Sequence, residues 1–61
     1  MKPGELRAIY EDPLTQTKKE GMATLILKLK DDLRSEYWEV QFDGEARTYF
    51  RWIAKEDEDD T

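Results

Sequence analysis

An alternation of apolar and polar side chains with a period of two is the feature that most constrains how this chain can fold. It is clearest over residues 23–30, where an alanine and three leucines occupy the odd positions and Lys28 and Lys30 lie among the even ones. Successive side chains of a β-strand point to opposite faces, so this pattern predicts a strand with one buried face. The two lysines indicate an edge or a solvent-facing position.

The same period predicts further strands on both sides of this one. Residues 6–10 alternate weakly and predict a first strand, and residues 37–42 predict a third strand whose apolar face carries Trp38, Val40 and Phe42. Residues 46–53 predict one returning strand or two short ones. The pattern is typical of an all-β domain.

Residues 11–21 separate the first two strands and lack the alternation. Asp12 followed by Pro13, with Gly21 further on, is compatible with one short helix. Such a helix is too short to be stable alone. We therefore expect a long loop with at most one helical turn.

The dipeptide Asp43-Gly44 predicts a hairpin between the third and fourth strands. A three-residue loop over residues 42–44 places Gly44 in the left-handed conformation that glycine adopts without strain. In this register Trp38 lies opposite Thr48. The face that would be buried consists of Trp38, Val40, Ala46, Thr48, Phe50 and Trp52. The outer face consists of Tyr37, Glu39, Gln41, Arg47, Tyr49 and Arg51.

The 61 residues include neither cysteine nor histidine. Disulfides and thiolate metal sites are thereby excluded, together with the commonest metal ligand and the commonest acid–base group near neutral pH. Ser35 lies in a polar stretch without an activating motif, and adjacent carboxylates such as Asp31 and Asp32 point apart on an extended chain. The sequence predicts no enzyme, no metal site and no cofactor.

The net charge of −5 is concentrated at the C-terminus. Residues 1–54 carry ten acidic and nine basic side chains, a net of −1, whereas residues 55–61 carry five carboxylates and Lys55, a net of −4. A run of like charges repels itself, so we expect one folded domain over residues 1–54 and a disordered acidic tail over residues 55–61. No apolar run has the length of a membrane helix and no signal peptide is apparent, which predicts a cytoplasmic protein.

Four or five short strands in so few residues favour a small curled antiparallel barrel, because a flat sheet would expose an apolar face and two edges. The chain resembles Src-homology-3-like barrels, particularly the Tudor and KOW subgroups, over roughly residues 3–54. The resemblance is carried by Pro3-Gly4, Gly21, the motif from Trp38 to Gly44 and the closing residues 49–53. The chain is also similar to short uncharacterised phage and bacterial proteins. It lacks the basic charge of RNA-binding KOW barrels, and no ligand is carried over from either subgroup.

The outer face of the hairpin is the predicted binding surface, because tyrosine and arginine are enriched in binding hot spots. The predicted partner-binding residues are Tyr37, Arg47, Tyr49 and Arg51, with Tyr10 at the border. The alternative is that these side chains only cover the sheet.

A non-catalytic protein-interaction adaptor or regulator is the predicted function, with a homodimer as one version of it. The first alternative is binding of RNA or single-stranded nucleic acid, which small barrels perform with aromatic and basic side chains but which the negative charge disfavours. The second alternative is a structural or assembly component. No membrane partner is predicted.

Overall fold

The computed structural model describes residues 1–55, which form one antiparallel sheet and contain no helix, and therefore none that could cross a membrane. Its strands, hydrogen-bonded in chain order, are β1 (Leu6–Asp12), β2 (Thr17–Asp31), β3 (Ser35–Phe42) and β4 (Tyr49–Ala54). The predicted all-β class is confirmed. The predicted acidic tail lies outside the described residues except for Lys55.

The long strand β2 belongs to two ladders that cover different parts of it. Its first part pairs with β1, up to the pair of Leu6 with Thr24, and its second part pairs with β3, from Ala23 onward. The register shifts leave one extra residue in β2 at each of three bulges, namely Glu20, Ile26 and Leu29. Bulges bend a strand and increase its twist, so the staggered sheet curls.

The curled sheet stays open, so the predicted closed barrel is not formed. β1 and β4 are the two edges of the sheet, and no ladder joins them. Side chains occupy the gap between β1 and β4, which we call the seam. Tyr10 and Pro13 on one side and Trp52 on the other line a narrow cleft of about 20 Å³ there.

The long loop predicted for residues 11–21 is wrong, since β2 begins at Thr17. The connection is a four-residue turn in which the Gln16 N–H donates to the Asp12 carbonyl (2.8 Å), as in one turn of helix. The Asp12 carboxylate also accepts hydrogen bonds from the N–H groups of Leu14 (3.2 Å) and Thr15 (3.4 Å). Asp12 therefore caps a turn, as aspartate does before a helix, but the chain reverses into a hairpin.

The predicted hairpin register between β3 and β4 is wrong by three residues. Val40 pairs with Tyr49 and Trp38 with Arg51, because residues 43–48 form a longer connection. Gly44 is left-handed as expected (φ +83°), but side-chain hydrogen bonds hold the wider loop. The Gln41 amide donates to the carbonyl of Glu45 (3.0 Å), and the Thr48 hydroxyl donates to Glu39 (2.8 Å). Since three is odd, every side chain of β4 lies on the face opposite to the predicted one.

The buried apolar cluster follows from the observed register. It consists of Ile9, Ala23, Leu25, Trp38, Val40 and Ile53. The prediction that Trp38 is buried is confirmed, since it is only 1% exposed, whereas Phe50 is 51% exposed and not part of the core. The bulge at Ile26 places Leu27 opposite Glu39, so the single apolar face predicted for residues 23–30 ends at Leu25.

One buried carboxylate lies beside this cluster. The indole N–H of Trp38 donates to Oε1 of Glu36 at 2.8 Å, and Glu36 is itself buried. A buried N–H without an acceptor is costly, so this hydrogen bond allows the largest core side chain to be buried.

An ionic contact lies at the same end of the sheet, where Asp31 pairs with Glu36. Asp31, at the end of β2, accepts hydrogen bonds from Nζ of Lys28 (2.9 Å) and of Lys55 (2.7 Å). Hydrogen bonds from Lys55 and then Lys28 lower the pKa of the Asp31 carboxyl, and the bond to Asp31 raises the pKa of Lys28. The end of β4 is thereby linked to the end of β2.

Replacing Glu36 with alanine is expected to destabilise the domain by about 1–3 kcal/mol, because the buried Trp38 N–H loses its acceptor. Glu36→Gln keeps an acceptor oxygen and is expected to cost less. Urea titrations followed by tryptophan fluorescence give the free energies of unfolding. If Glu36→Ala were as stable as the wild type, this hydrogen bond would contribute nothing.

Asp31→Asn is expected to lower the melting temperature at neutral pH but not in acid. Because the pKa of Asp31 is lowered in the folded state, its contribution to stability is complete above the ordinary aspartate pKa of about 3.9. This contribution is lost as the pH falls through the pKa of the folded state. Thermal melts of the wild type and of Asp31→Asn, at neutral pH and in acid, measure the difference between their melting temperatures. Asp43→Asn, in the exposed loop, removes the same charge as a control, and an equal loss in both variants would contradict the assignment.

Candidate functional site

The large exposed apolar side chains of residues 1–55 fall into two groups. Five of the eight, Leu6, Ile26, Leu27, Leu29 and Leu33, lie along or near the part of β2 that β1 does not cover. The other three, Leu14, Phe50 and Trp52, lie together with further rings around one concavity of about 520 Å³. We call this concavity the aromatic groove, and its apolar lining consists of Tyr10, Pro13, Leu14, Tyr37, Phe50 and Trp52.

The floor of the aromatic groove is formed by three rings on the outer face of β3 and β4. Tyr37 pairs directly with Trp52, and their ring centroids are 5.0 Å apart. Tyr37 also stacks on Phe50, with centroids 6.3 Å apart and ring planes inclined by 24°. Ring contacts of this kind are worth about 0.5–1.5 kcal/mol each, so the floor is held in place before any ligand arrives.

The facing wall is the hairpin between β1 and β2. Tyr10 comes from β1, and Pro13 and Leu14 come from the turn that Asp12 caps. Leu14 is 58% exposed at the tip, although the turn that carries it is fixed by hydrogen bonds. The curl of β2 brings this hairpin opposite β4, so the groove joins residues that are about 40 positions apart in sequence.

The hairpin wall of the aromatic groove is acidic, because Glu11 and Asp12 line it. Lys30 lies outside the lining, with its Nζ 5.7 Å from the centroid of the Tyr37 ring, which belongs to the floor. Arg51 also lines the groove, but its Nε donates to Glu20 at 3.0 Å and its Nη1 to the Phe50 carbonyl at 2.9 Å.

The structure divides the five predicted partner-binding residues between two places. Tyr10 and Tyr37 line the aromatic groove. Arg47, Tyr49 and Arg51 meet elsewhere, because the register shift puts Tyr49 on the same face as the buried Val40. The guanidinium carbons of Arg47 and Arg51 lie 5.1 and 5.4 Å from the Tyr49 ring centroid. The predicted continuous Tyr/Arg face is therefore wrong.

This second cluster surrounds another concavity, of about 340 Å³. Phe42 meets Tyr49 edge to face with centroids 5.5 Å apart, and Arg51 lies 5.8 Å from the Phe42 ring centroid. The lining also includes Gly21, Met22 and three acidic residues, Glu20, Asp43 and Glu45. Glu20 binds Arg51, and Glu45 accepts a hydrogen bond from the Tyr49 hydroxyl. Most of the charged groups of this concavity are therefore already engaged, which makes it the less available of the two surfaces.

Phe50 and Trp52 are the groove residues that the sequence reasoning assigned to the buried face. Strand β4 carries aromatic side chains at both parities, Tyr49 on one and Phe50 and Trp52 on the other. The sequence signal that separates them is Ile53, which has the same parity as Tyr49 and belongs to the same buried cluster as Trp38 and Val40. Aromatic content alone therefore does not identify the buried face of this strand.

The lining of the aromatic groove offers rings, one leucine, one proline, two carboxylates, the Arg51 side chain and the Ser35 hydroxyl. Within residues 1–55 there is no group of three or more acidic side chains that could hold a metal ion.

No protein-family model, curated protein or solved structure matches this chain.

Proposed function

We propose that this protein is a non-catalytic binding module, acting as a protein-interaction adaptor or regulator, and that the aromatic groove receives an extended segment of its partner. The observation that carries the proposal is the clustering of Leu14, Phe50 and Trp52 around one concavity although all three are exposed. Soluble domains bury such side chains where they can, and an exposed apolar cluster marks an interaction site.

The dimensions of the aromatic groove support a peptide-sized ligand. A volume of about 520 Å³ lies in the range of small-ligand sites, and the concavity is open rather than enclosed. An extended segment can run between the hairpin wall and the floor and place one or two side chains against the rings. Tyrosine and tryptophan suit this role, because rigid rings lose little conformational entropy on binding.

The Src-homology-3-like resemblance forms part of the same proposal. We propose that the curled sheet is an open variant of such a barrel, in which the rings of Tyr10 and Trp52 occupy the seam between β1 and β4. This assignment rests on the sequence motifs and on the curl of β2. It predicts no ligand by itself, since function depends on the site and not on the fold.

Single-stranded nucleic acid is the second candidate ligand. One observation favours it, the stack of Tyr37 on Phe50 beside Lys30, because bases stack on exposed rings next to cations. Glu11 and Asp12 on the facing wall oppose it, since they would repel phosphates at close range. A protein segment is therefore the better-supported partner.

The double substitution Leu14→Ala with Phe50→Ala is expected to weaken peptide binding at least about tenfold, because hot-spot truncations cost about 1–2 kcal/mol or more each. Peptides are first selected on the wild-type protein from a displayed random library. Their affinities are then compared by the shift of the Trp52 indole N–H signal in NMR titrations. Both substituted side chains are more than half exposed, so the fold is expected to persist, which circular dichroism checks.

Leu33→Ala provides the matched control, because Leu33 is 86% exposed and lies outside the aromatic groove. It is expected to leave the affinities unchanged. The proposal fails if the selected peptides bind the double variant as tightly as the wild type. A pool of single-stranded oligonucleotides, titrated in the same way, tests whether the protein binds single-stranded nucleic acid.

A further inference from the structure

The two carboxylates in the lining of the aromatic groove, Glu11 and Asp12, are among the charged groups of residues 1–55 that have no ionic partner there. The ion pairs among residues 1–55 link Arg7 with Glu5, Lys28 and Lys55 with Asp31, and Arg51 with Glu20. Glu11 and Asp12 take part in none of these pairs. One oxygen of Asp12 accepts the turn N–H groups of Leu14 and Thr15, which orients the carboxylate without neutralising it.

From this we infer that the partner segment carries an arginine or lysine side chain, which meets Glu11 and Asp12 at the hairpin wall. The inference rests on the proposed function, since it specifies the ligand of the same groove. Apolar walls lower the local dielectric and strengthen the attraction between a carboxylate and an incoming cation. The apolar stem of either side chain would cover the rings beside the carboxylates.

An arginine is the better fit of the two, and the protein provides an internal example of the arrangement. On its second concavity the Arg51 guanidinium lies 5.8 and 5.4 Å from the Phe42 and Tyr49 ring centroids while Nε donates to Glu20 at 3.0 Å. The aromatic groove offers the same two components, rings and carboxylates, and the arginine in its own lining, Arg51, is paired with Glu20 and not with Glu11 or Asp12. A planar guanidinium stacks on a ring and binds a carboxylate at the same time.

Lys30 gives the bound segment a direction. Its Nζ lies 5.7 Å from the centroid of the Tyr37 ring, which belongs to the floor, whereas Glu11 and Asp12 belong to the hairpin wall. A basic side chain at that end would be repelled, whereas a neutral or acidic one would be accepted. The segment is therefore expected to cross the aromatic groove with its basic residue at Glu11 and Asp12 and its uncharged or acidic part at Lys30.

The test uses three pools of short synthetic peptides with the same leucine, phenylalanine and serine content, in which the variable position is arginine, glutamine or glutamate. The wild-type full chain is titrated with each pool while the Trp52 indole signal is followed by NMR. The arginine pool is expected to bind at least about tenfold more tightly than the glutamine pool, and the glutamate pool more weakly than both. The preference is expected to decrease when salt is raised, because part of the attraction is screened.

The variant Glu11→Gln with Asp12→Asn is expected to abolish the preference and leave the glutamine pool unaffected. Asparagine can cap the turn as aspartate does, so the wall is expected to keep its shape. The control variant, Asp43→Asn with Glu45→Gln, removes the same charge outside the aromatic groove and should retain the preference.

The possible failures are distinguishable. Equal binding of the three pools, lost in the Leu14→Ala with Phe50→Ala variant, would overturn the inference and leave the proposed function intact. If none of the pools shifts the Trp52 signal while single-stranded oligonucleotides do, both the inference and the protein-binding function are wrong. Retention of the arginine preference in Glu11→Gln with Asp12→Asn would also overturn the inference.

Discussion

The pairing of Trp38 with Arg51 and of Val40 with Tyr49 is the constraint on which the rest of the structure depends. It places Ile53 on the same face as Trp38, where both belong to the buried cluster. The same pairing turns Phe50 and Trp52 outward, against Tyr37. Core and candidate site are therefore two consequences of one register, and a shift by a single residue would exchange them.

The three extra residues in β2, at its bulges, determine how strongly the sheet bends. Without the bulge at Glu20, the hairpin between β1 and β2 would continue in the plane of the sheet. With the bulges, β2 bends enough to bring Tyr10 and Leu14 opposite Phe50 and Trp52. The aromatic groove thus depends on two features. One is local, the ring contacts between β3 and β4, and the other is the curvature of β2, which carries the hairpin wall.

The sequence was sufficient to predict the all-β class and the buried side of β3, because alternation reports which faces are apolar, but not the first part of β2, which lacks alternation. Trp38 and Val40 are buried as predicted, and Tyr37 lies on the outer side. The bulges of β2 and the six-residue connection after Phe42 could not be predicted in the same way. Both depend on tertiary hydrogen bonds, such as those of Gln41 with Glu45 and of Thr48 with Glu39, which periodicity does not encode. Since Phe50 and Trp52 are placed by that connection, the aromatic groove was missed as a site although Tyr10 and Tyr37 were expected to bind.

The exposed apolar side chains along β2 and those of the aromatic groove differ in how well they suit binding. Along β2 the exposed leucines are aliphatic, and they lie between Lys28, Lys30 and the bulges at Ile26 and Leu29. Bulges and lysines hinder the addition of a further strand, so the stretch of β2 that β1 leaves uncovered is protected against pairing. The aromatic groove has no such protection. Its rings are held in place, its walls are concave, and covering it would gain about 25 cal/mol for each Å² of apolar surface removed from water. The aromatic groove combines a fixed, concave shape with two carboxylates that have no ionic partner among the described residues, and both properties favour selective recognition.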